Sequence, residues 1–340
     1  MVLPGKNEDI TRRGFVKGAA GALTIAALGM AGCVGKSEPQ QSANNNDQTS
    51  AETLDANEKE VTTMAASEVP QFDLTKGTVE LNNGITMPVL GIGTYILSSD
   101  QAERSVTAAL DAGMRLIDTA RIYGNEDGVG RAIAKSSVPR DEIFLTTKLW
   151  TADFSSAANA IDASLRRLNQ DYIDLLLLHH EAASDEAAYR AMEDAVAAGK
   201  VRSIGLSNFY ESGFERMLDA VSIPPAVLQN ETQPYFQERA VKDFIAQTGT
   251  VLEAWFPLGG KGDCRTLFAD PVIAEVATNH GVSPAQVIIR WHLQNNNVCI
   301  PGSSNPEHIR EDADVFGFSL TADEMAAIDD LDRNHRFASY

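Results

Sequence analysis

From residue 89 to the C-terminus, short apolar runs alternate with longer stretches in which apolar residues recur every three or four positions. Short continuous apolar runs are typical of parallel strands buried on both faces, and the longer periodic stretches are typical of amphipathic helices. The pattern predicts strands over residues 89–93, 115–118, 143–148, 172–179, 203–207, 227–229, 251–255 and 298–300. It predicts helices between them over residues 101–112, 157–168, 185–198, 214–220, 239–247 and 271–294, the last interrupted around 281–284.

Eight strand–helix units in about 250 residues predict an α/β protein with a (β/α)8 TIM barrel. The alternative, a doubly wound sheet, usually opens with a G-x-G-x-x-G phosphate loop. The matching segment GIGTY at residues 91–95 lacks the third glycine of that loop, so the barrel is the prediction. An N-terminal β-hairpin is expected ahead of the barrel, because residues 79–87 alternate around an Asn-Gly turn pair.

The first 33 residues have the layout of an export signal, with positive charge, then an apolar run, then small residues. Residues 11–17, which contain two adjacent arginines, resemble a twin-arginine signal peptide, and the apolar run over 18–31 is short for a membrane-spanning helix. The segment that ends at Cys33 resembles a lipobox, which implies a lipid on that cysteine and an exported protein held in the cell envelope or periplasm. The alternatives are an uncleaved N-terminal anchor and a plain signal with an incidental cysteine.

Residues 34–75 are rich in Ser, Gln, Asn, Asp, Glu and Thr and contain few large apolar side chains. Such a segment cannot bury enough apolar surface to offset its loss of conformational entropy, so we expect a flexible polar linker. The predicted domain organisation is therefore a signal over residues 1–33, a linker over 34–75 and a barrel over 76–340.

The formal net charge of −19 narrows the set of partners. Nucleic-acid binding needs a basic surface, so that class of function is excluded. Three cysteines without a C-x-x-C pair predict neither a disulfide framework nor a zinc site. We expect a monomer that contacts a membrane through the lipid at Cys33 and whose redox partner the sequence does not identify.

Polar residues collect at the carboxyl ends of the predicted strands, where a barrel of this kind carries its active site. Asp118 ends the second strand and Tyr123 follows it, Lys148 ends the third strand, and His179 ends the fourth. A phenol has an ordinary pKa near 10. A nearby ammonium lowers that pKa by stabilising the phenolate, and a carboxylate paired with the ammonium holds it in place. These residues predict a proton-transfer site in which the histidine orients a carbonyl group.

The order of the motifs resembles the aldo-keto reductase family, and the resemblance covers the chain from Thr78 to the C-terminus. The matching segments include GIGT at 91–94, LIDTA at 116–120, YGNE at 123–126, TK at 147–148, GLSNF at 205–209 and WFPL at 255–258. The resemblance implies the NAD(P)H-dependent reduction of aldehydes and ketones to alcohols. It implies Tyr123 as the general acid, Lys148 as the residue that lowers its pKa, and Asp118 as the partner of Lys148. His179 would position the substrate carbonyl.

The same resemblance implies a nicotinamide cofactor site built from several strands and the last part of the chain. The implied cofactor-binding residues are Gly93, Thr94, Ser207, Asn208, Gln229, Trp255, Leu258, Ser303, His308 and Glu311. Among them Ser207, Asn208 and Gln229 would hold the nicotinamide carboxamide, Trp255 would stack on the ring, and Leu258 would lie along the pyrophosphate.

The chain departs from the family pattern at the site for the 2′-phosphate of NADPH. The family usually carries a Lys and an Arg there, whereas Gly302 and His308 stand at the matching positions and Asp312 replaces a common Asn. Loss of two cations should remove much of the affinity for the phosphate, because charge-assisted contacts are the strong ones. Arg310 could substitute if its side chain turns inward. NADP(H) is thus the family expectation, and use of NAD(H) is also open.

Several aromatic residues are candidate walls of the substrate pocket, and their types suit many aldehydes and ketones without selecting one. They are Tyr95, Trp150, His180 and Phe337. Residues 336–340 either close over the site or pack against the barrel. The adjacent histidines at 179 and 180 have no third ligand at a suitable spacing, so no metal site is predicted.

Two other functions compete with that of a reductase. A redox sensor or binding module on the same fold would hold the cofactor with little turnover, and the intact set of catalytic residues favours the enzyme over it. A carbohydrate hydrolase would need two carboxylates that flank its substrate. Asp118 is expected to be committed to Lys148, and the sequence offers no evident second carboxylate.

Overall fold

The computed structural model describes residues 70–338, and it confirms the predicted eight-stranded barrel. A small antiparallel sheet precedes the barrel and consists of β1 (Phe72–Asp73), β2 (Thr78–Glu80) and β3 (Thr86–Pro88). The barrel strands are β4 (Gly91–Gly93), β5 (Leu116–Asp118), β6 (Phe144–Leu149), β7 (Ile173–Leu178), β8 (Val201–Ser207), β9 (Val227–Glu231), β10 (Val251–Trp255) and β11 (Asn297–Cys299). All eight are parallel, and each pairs with the next in chain order.

The barrel closes between its first and last strands. Leu90, just before β4, forms a parallel bridge with Cys299 in β11, and the Cys299 amide donates to the Val89 carbonyl at 2.9 Å. Every residue of β4, β5, β6, β7, β9 and β11 is buried. This burial on both faces explains why their apolar runs are continuous and do not alternate.

Helices surround the barrel and cover its outer face. They are α1 (Ser99–Asp111), α2 (Glu126–Lys135), α3 (Ala157–Leu168), α4 (Asp185–Ala197), α5 (Glu211–Ala220), α6 (Arg239–Ala246), α7 (Gly260–Phe268), α8 (Pro271–His280), α9 (Pro284–Gln294), α10 (Pro306–Ala313) and α11 (Ala322–Asp329). Short 3-10 turns cover Arg121–Tyr123, Arg140–Glu142 and Thr151–Ser156. Capping boxes begin α1, α9 and α11, in which Ser98, Ser283 and Thr321 exchange hydrogen bonds with the third residue of the helix.

The hairpin of β2 and β3 is fixed against the amino ends of the barrel strands. Asn82 Nδ2 donates to the Pro225 carbonyl just before β9 at 3.0 Å, and Asn83 Nδ2 donates to Ser203 Oγ in β8 at 3.0 Å. The turn itself needs Gly84, whose φ of +79° is left-handed. This end of the barrel is therefore occupied by a structural element, and the carboxyl ends of the strands remain for chemistry.

The sequence pattern does not predict α2, because Gly128 and Gly130 within it are poor helix formers. The structure supplies the reason for these glycines. A Cβ at Gly128 would lie 2.0 Å from the Ser99 carbonyl oxygen of α1, and one at Gly130 would lie 2.3 Å from the Leu168 carbonyl oxygen of α3. Close packing of three helices thus overrides helix propensity. The short helices α7, α10 and α11 are also outside the predicted helix ranges, and α7 begins at a glycine.

The linker predicted over residues 34–75 is too long at its C-terminal end. Phe72 and Asp73 pair with the first strand of the hairpin, because the Asp73 carboxylate accepts the Thr75 and Lys76 amides and reverses the chain direction. Residues 34–69 of the predicted linker, the predicted signal over 1–33 and Cys33 lie outside the described residues. Between residues 70 and 338, no helix has the length and apolar content that crossing a membrane requires.

Candidate active site

Four predicted catalytic residues meet at the carboxyl ends of three adjacent strands. Asp118 is the last residue of β5, Lys148 is next to last in β6, and His179 directly follows β7. Tyr123 ends the 3-10 turn after β5, and Gly124 stops that turn in the left-handed region at φ +67°. The barrel thus brings together residues that are up to 61 positions apart in the sequence.

The Lys148 ammonium lies at the centre of this group and is fully buried. Its Nζ donates to Asp118 Oδ1 at 2.6 Å and Oδ2 at 2.7 Å, and to the Thr119 carbonyl at 3.0 Å. It also lies 3.5 Å from Tyr123 Oη. Burial raises the pKa of Asp118, while the ammonium and a hydrogen bond from Gln229 oppose that rise. Positive charge beside the phenol oxygen favours the phenolate form of Tyr123.

His179 is only 7% exposed and lies against the other aromatic rings of the site. Its ring centroid is 5.6 Å from that of Tyr123 and 5.2 Å from that of Trp150. Burial, with the charges of Lys148 and His180, lowers the pKa of His179 to about 2. The imidazole is therefore neutral, and its buried Nδ1 has no hydrogen-bond partner among the described residues. A neutral imidazole can hydrogen-bond a carbonyl oxygen and cannot serve as a cation.

A second buried carboxyl group lies close to Asp118, contrary to the expectation from sequence. Gln229 Nε2 donates both to Asp118 Oδ2 at 2.9 Å and to Glu253 Oε2 at 2.8 Å. Glu253 is fully buried, and burial followed by the charge of Asp118 raises its pKa to about 8. Both carboxyl groups are enclosed, so they do not flank a substrate as those of a hydrolase do. The sequence signal for Glu253 was an acidic residue inside the apolar strand β10.

The polar residues predicted to hold a nicotinamide lie on the next strands around the barrel. Asn208 adopts a left-handed backbone at φ +58° directly after β8. Its Nδ2 donates to the His179 carbonyl at 2.9 Å and to Ser207 Oγ at 3.0 Å. Its Oδ1 accepts the indole N–H of Trp255 at 3.1 Å. Trp255 ends β10 and is half-buried, so these residues form one connected edge of the mouth.

A further edge of the mouth is formed where the backbone of β4 lies close to the residues that follow β11. The Gly93 amide donates to the Pro301 carbonyl at 3.0 Å, and a Cβ at Gly93 would lie 2.9 Å from the Ile300 carbonyl oxygen. A Cβ at Gly302 would in turn lie 3.0 Å from the Gly93 carbonyl oxygen. Thr94 is fully buried, and its hydroxyl donates to the Asp118 carbonyl at 3.0 Å. Thr94 therefore braces the strand that carries Asp118.

The remaining predicted cofactor residues surround this edge. Leu258 is half-buried between the two hydrophobic clusters of the core, and Ser303 Oγ accepts the amide of Asn305, the N-cap of α10. His308 and Glu311 are exposed on α10. Asp312 is buried, and burial with the charge of Glu311 raises its pKa to about 7.

The predicted pocket walls divide into two groups. Tyr95 lies 5.1 Å from Tyr123, and His180 stacks on His179 at 5.0 Å between ring centroids, so both border the site together with Trp150. Phe337 instead packs on the barrel, 6.2 Å from Tyr235.

The backbone of the C-terminal segment is held by a buried carboxylate. Glu231 accepts the amides of Phe337 at 2.6 Å and Ala338 at 3.2 Å, so this segment packs against the barrel.

Phe256, which was not predicted as a site residue, lies 5.9 Å from Tyr95 with φ +51°, a strained value for a bulky residue. Among the described residues, no group of three or more His, Cys, Asp or Glu side chains is arranged to hold a metal ion.

Comparison with known proteins agrees with this geometry. The model of the Aldo/keto reductase family matches residues 89–333. An aldo-keto reductase of Mycolicibacterium vanbaalenii is 47% identical, covering 76% of this chain and 94% of its own length. The morphine 6-dehydrogenase of Pseudomonas putida is 42% identical, covering 76% and 92%.

Solved structures give the same result. An aldo/keto reductase from Brucella melitensis superposes with a TM-score of 0.72 at 42% identity, covering 75% of this chain and 97% of its own. An aldo-keto reductase from a Medee basin deep-sea metagenome library superposes with a TM-score of 0.74 at 39% identity, covering 77% and 97%. Because family model, relatives and barrel geometry agree, the chain belongs to the aldo/keto reductase family and is an NAD(P)H-dependent oxidoreductase that reduces carbonyl groups.

Proposed function

We propose that Tyr123 is the general acid of the carbonyl reduction and donates its phenolic proton to the substrate oxygen. The observation that carries this proposal is the Lys148 ammonium, which lies 3.5 Å from Tyr123 Oη and is held by both oxygens of Asp118. An ammonium in a dry site stabilises the phenolate that remains after proton transfer. Asp118 fixes the ammonium in place and compensates its buried charge.

His179 positions the substrate in this proposal. Its ring is neutral and lies edge-on to Tyr123, so a carbonyl oxygen between the two receives one hydrogen bond from each. A protonated histidine would compete with Tyr123 as an acid, and the low pKa removes that competition. Tyr95, Trp150 and His180 border the same space, which suits aldehydes and ketones that carry an apolar or aromatic body.

The residues at the mouth fit a nicotinamide. Ser207, Asn208 and Gln229 offer hydroxyl and amide groups that complement a carboxamide, and Trp255 offers a half-exposed aromatic face. Since Gln229 uses Nε2 inward on two carboxyl groups, its Oε1 is the group left to accept the carboxamide N–H. A reduced nicotinamide bound at this mouth supplies the hydride for the carbonyl carbon.

The chain is proposed to use NAD(H) as well as NADP(H), the usual cofactor of the family. Gly302 and His308 supply no fixed cation for a 2′-phosphate, and the buried carboxyl of Asp312 lies on the same helix as His308. Gly93, Thr94, Leu258, Ser303 and Glu311 are proposed to contact the remainder of the cofactor.

The catalytic proposal is tested with Tyr123→Phe in the full chain. Aldehyde-dependent oxidation of NADPH and of NADH should vanish, whereas quenching of tryptophan emission by either cofactor should persist. Tyr172→Phe is the matched control, because Tyr172 lies near the amino end of β7 and contacts Arg140. Full activity of Tyr123→Phe would contradict the proposal. Cofactor binding without turnover in the unmodified chain would favour the redox-sensor alternative.

We also propose that the chain is exported and anchored by a lipid at Cys33, as its N-terminal sequence suggests. In a bacterial host with a twin-arginine pathway, Cys33→Ala should move the protein from the membrane fraction to the soluble fraction. Cys264→Ala is the matched control and should remain with the membrane. Unchanged membrane association of Cys33→Ala would contradict lipid anchoring, and cytoplasmic retention of the unmodified chain would contradict export.

A further inference from the structure

Glu253 is a buried acidic residue that the proposed mechanism does not use. It lies in the middle of β10, in register with Gln229 of β9, and its side chain is fully buried. Its Oε2 accepts Gln229 Nε2 at 2.8 Å, whereas its buried Oε1 has no hydrogen-bond partner among the described residues. A lone carboxylate oxygen in such surroundings is costly, which calls for an explanation.

The charges around Glu253 indicate which of the two buried carboxyl groups, Asp118 or Glu253, is protonated. Two carboxyl groups, those of Asp118 and Glu253, are buried in the same region as the ammonium of Lys148. Both Asp118 oxygens lie within 2.7 Å of that ammonium, whereas the one hydrogen bond of the Glu253 carboxyl group among the described residues is with the neutral amide of Gln229. The proton that balances the cluster therefore resides on Glu253. In agreement, burial and the charge of Asp118 raise the pKa of Glu253 to about 8.

The titratable groups near Glu253 act in both directions on its ionisation, and together with burial they leave the protonated form favoured. On β5 the Asp118 carboxylate opposes ionisation, and on β6 the Lys148 ammonium favours it. On β11 the thiol of Cys299 is neutral, because burial above all raises its pKa. On β9 Gln229 supplies a neutral hydrogen-bond donor. A new positive charge at the mouth would therefore be the main influence able to draw the proton from Glu253.

We propose that Glu253 is a positioning residue that releases its proton when an oxidised, cationic nicotinamide binds at the mouth and retains it beside the reduced, neutral form. The inference rests on the proposed cofactor site. Trp255 follows Glu253 by two residues on β10, so both side chains lie on the same face of the strand, and Gln229 contacts Glu253 directly. Ionisation of Glu253 thus places a negative charge one layer below the proposed ring site.

In this proposal the binding of NAD⁺ is accompanied by release of a proton from Glu253 to solvent. Protonated Glu253 and free NAD⁺ become the Glu253 carboxylate, bound NAD⁺ and one proton in solvent. Linkage then requires NAD⁺ to bind more tightly as pH rises toward the pKa of Glu253 in the cofactor-free protein. A shift of one pKa unit on binding would tighten the binding of NAD⁺ about threefold between pH 7 and pH 8, and would approach about tenfold over the whole range from pH 6 to pH 9. Binding of NADH should change little over the same range.

The inference is tested by titrating the full chain with NAD⁺ and NADH from pH 6.5 to 9.5, with tryptophan quenching as the readout. Calorimetry in two buffers of different ionisation enthalpy counts the protons released. The unmodified chain should release protons with NAD⁺ and not with NADH. In Glu253→Gln, a neutral isostere that still accepts from Gln229, the affinity for NAD⁺ should be independent of pH and the release should be absent.

Tyr123→Phe separates the two ionisable candidates and should keep the pH dependence, since its phenol is not the source of the proton. Loss of the pH dependence in Tyr123→Phe, or its persistence in a folded Glu253→Gln, would overturn the inference. Binding of NAD⁺ by the unmodified chain without proton release would overturn it independently of any variant. Failure of both cofactors to bind would overturn the proposed cofactor site as well.

Discussion

Replacing Asp118 with Asn should both destabilise the barrel and disable the site, because this side chain holds and neutralises Lys148. The ammonium is fully buried, and its two shortest contacts are with the Asp118 oxygens at 2.6 and 2.7 Å. Breaking one half of a buried ion pair costs about 3–5 kcal/mol. For a domain of this size each kcal/mol lowers Tm by about 2–4 °C, so Tm should fall by about 6–20 °C. We expect kcat/KM for an aldehyde to fall by about 10²–10⁴-fold.

Two further variants make this prediction refutable. Asp118→Asn combined with Lys148→Met removes both charges and should recover much of the lost stability while remaining inactive. Asp162→Asn breaks the pair with Lys200, which has the same 2.6 Å distance but is about half exposed, and should cost no more than about 1 kcal/mol. Thermal unfolding by circular dichroism and steady-state kinetics measure both effects. A wild-type Tm for Asp118→Asn, or a double variant less stable than the single one, would refute the reasoning.

Three other predictions concern the cofactor, the pH dependence and the packing. His308→Arg should raise the affinity for NADPH about tenfold and leave the affinity for NADH unchanged in fluorescence titrations, because only NADPH carries the 2′-phosphate. An equal gain in affinity for both cofactors would contradict this prediction. Glu253→Gln should raise Tm at pH 9 and change it little at pH 4. The pKa of Glu253 is raised to about 8 in the folded protein, so the stabilisation that its protonated form provides is fully present below the pKa of the unfolded chain and is lost as pH rises through 8. Gly128→Ala should cost about 1–3 kcal/mol in chemical denaturation, because its Cβ would lie 2.0 Å from the Ser99 carbonyl oxygen. Gly317→Ala, with no atom within 4 Å of the new Cβ, should be near neutral, and equal losses would contradict the packing argument.

The barrel could be predicted from sequence because its strands are buried on both faces. Short, largely apolar runs such as the one that forms β7 (Ile173–Leu178), alternating with helical patterns, are typical of a buried parallel sheet. Helix α2 could not be predicted, because the close approach of Ser99 and Leu168 that requires Gly128 and Gly130 exists only in three dimensions. Local propensity and tertiary packing disagree there, and packing decides the structure.

The convergence of Asp118, Tyr123, Lys148 and His179 could be predicted because each stands at or shortly after the carboxyl end of a strand, and these ends meet at one mouth of a barrel. Glu253 could not be assigned a role in this way, because it lies in the interior of its strand and acts on the site through the amide of Gln229. Phe337 was assigned to the pocket from its residue type alone. Its backbone amide donates to Glu231, more than a hundred residues away in the sequence, and its ring lies near Tyr235; sequence patterns do not reveal such distant contacts.

The amino end of the barrel contributes to stability, whereas the carboxyl end carries the candidate active site. At the amino end, the hairpin is fixed by Asn82 and Asn83, and its tight turn is formed by a glycine that tolerates it without strain. At the carboxyl end, buried charges accumulate around Lys148, and Phe256 holds a left-handed backbone, both of which cost folding free energy. A site that needs an ammonium beside a phenol in the absence of water cannot avoid this cost. Neutralising substitutions at the carboxyl end that remove both partners should therefore retain most of the stability of the fold as they abolish activity. Substitutions in the hairpin should instead lower stability and leave the chemistry of the folded fraction intact.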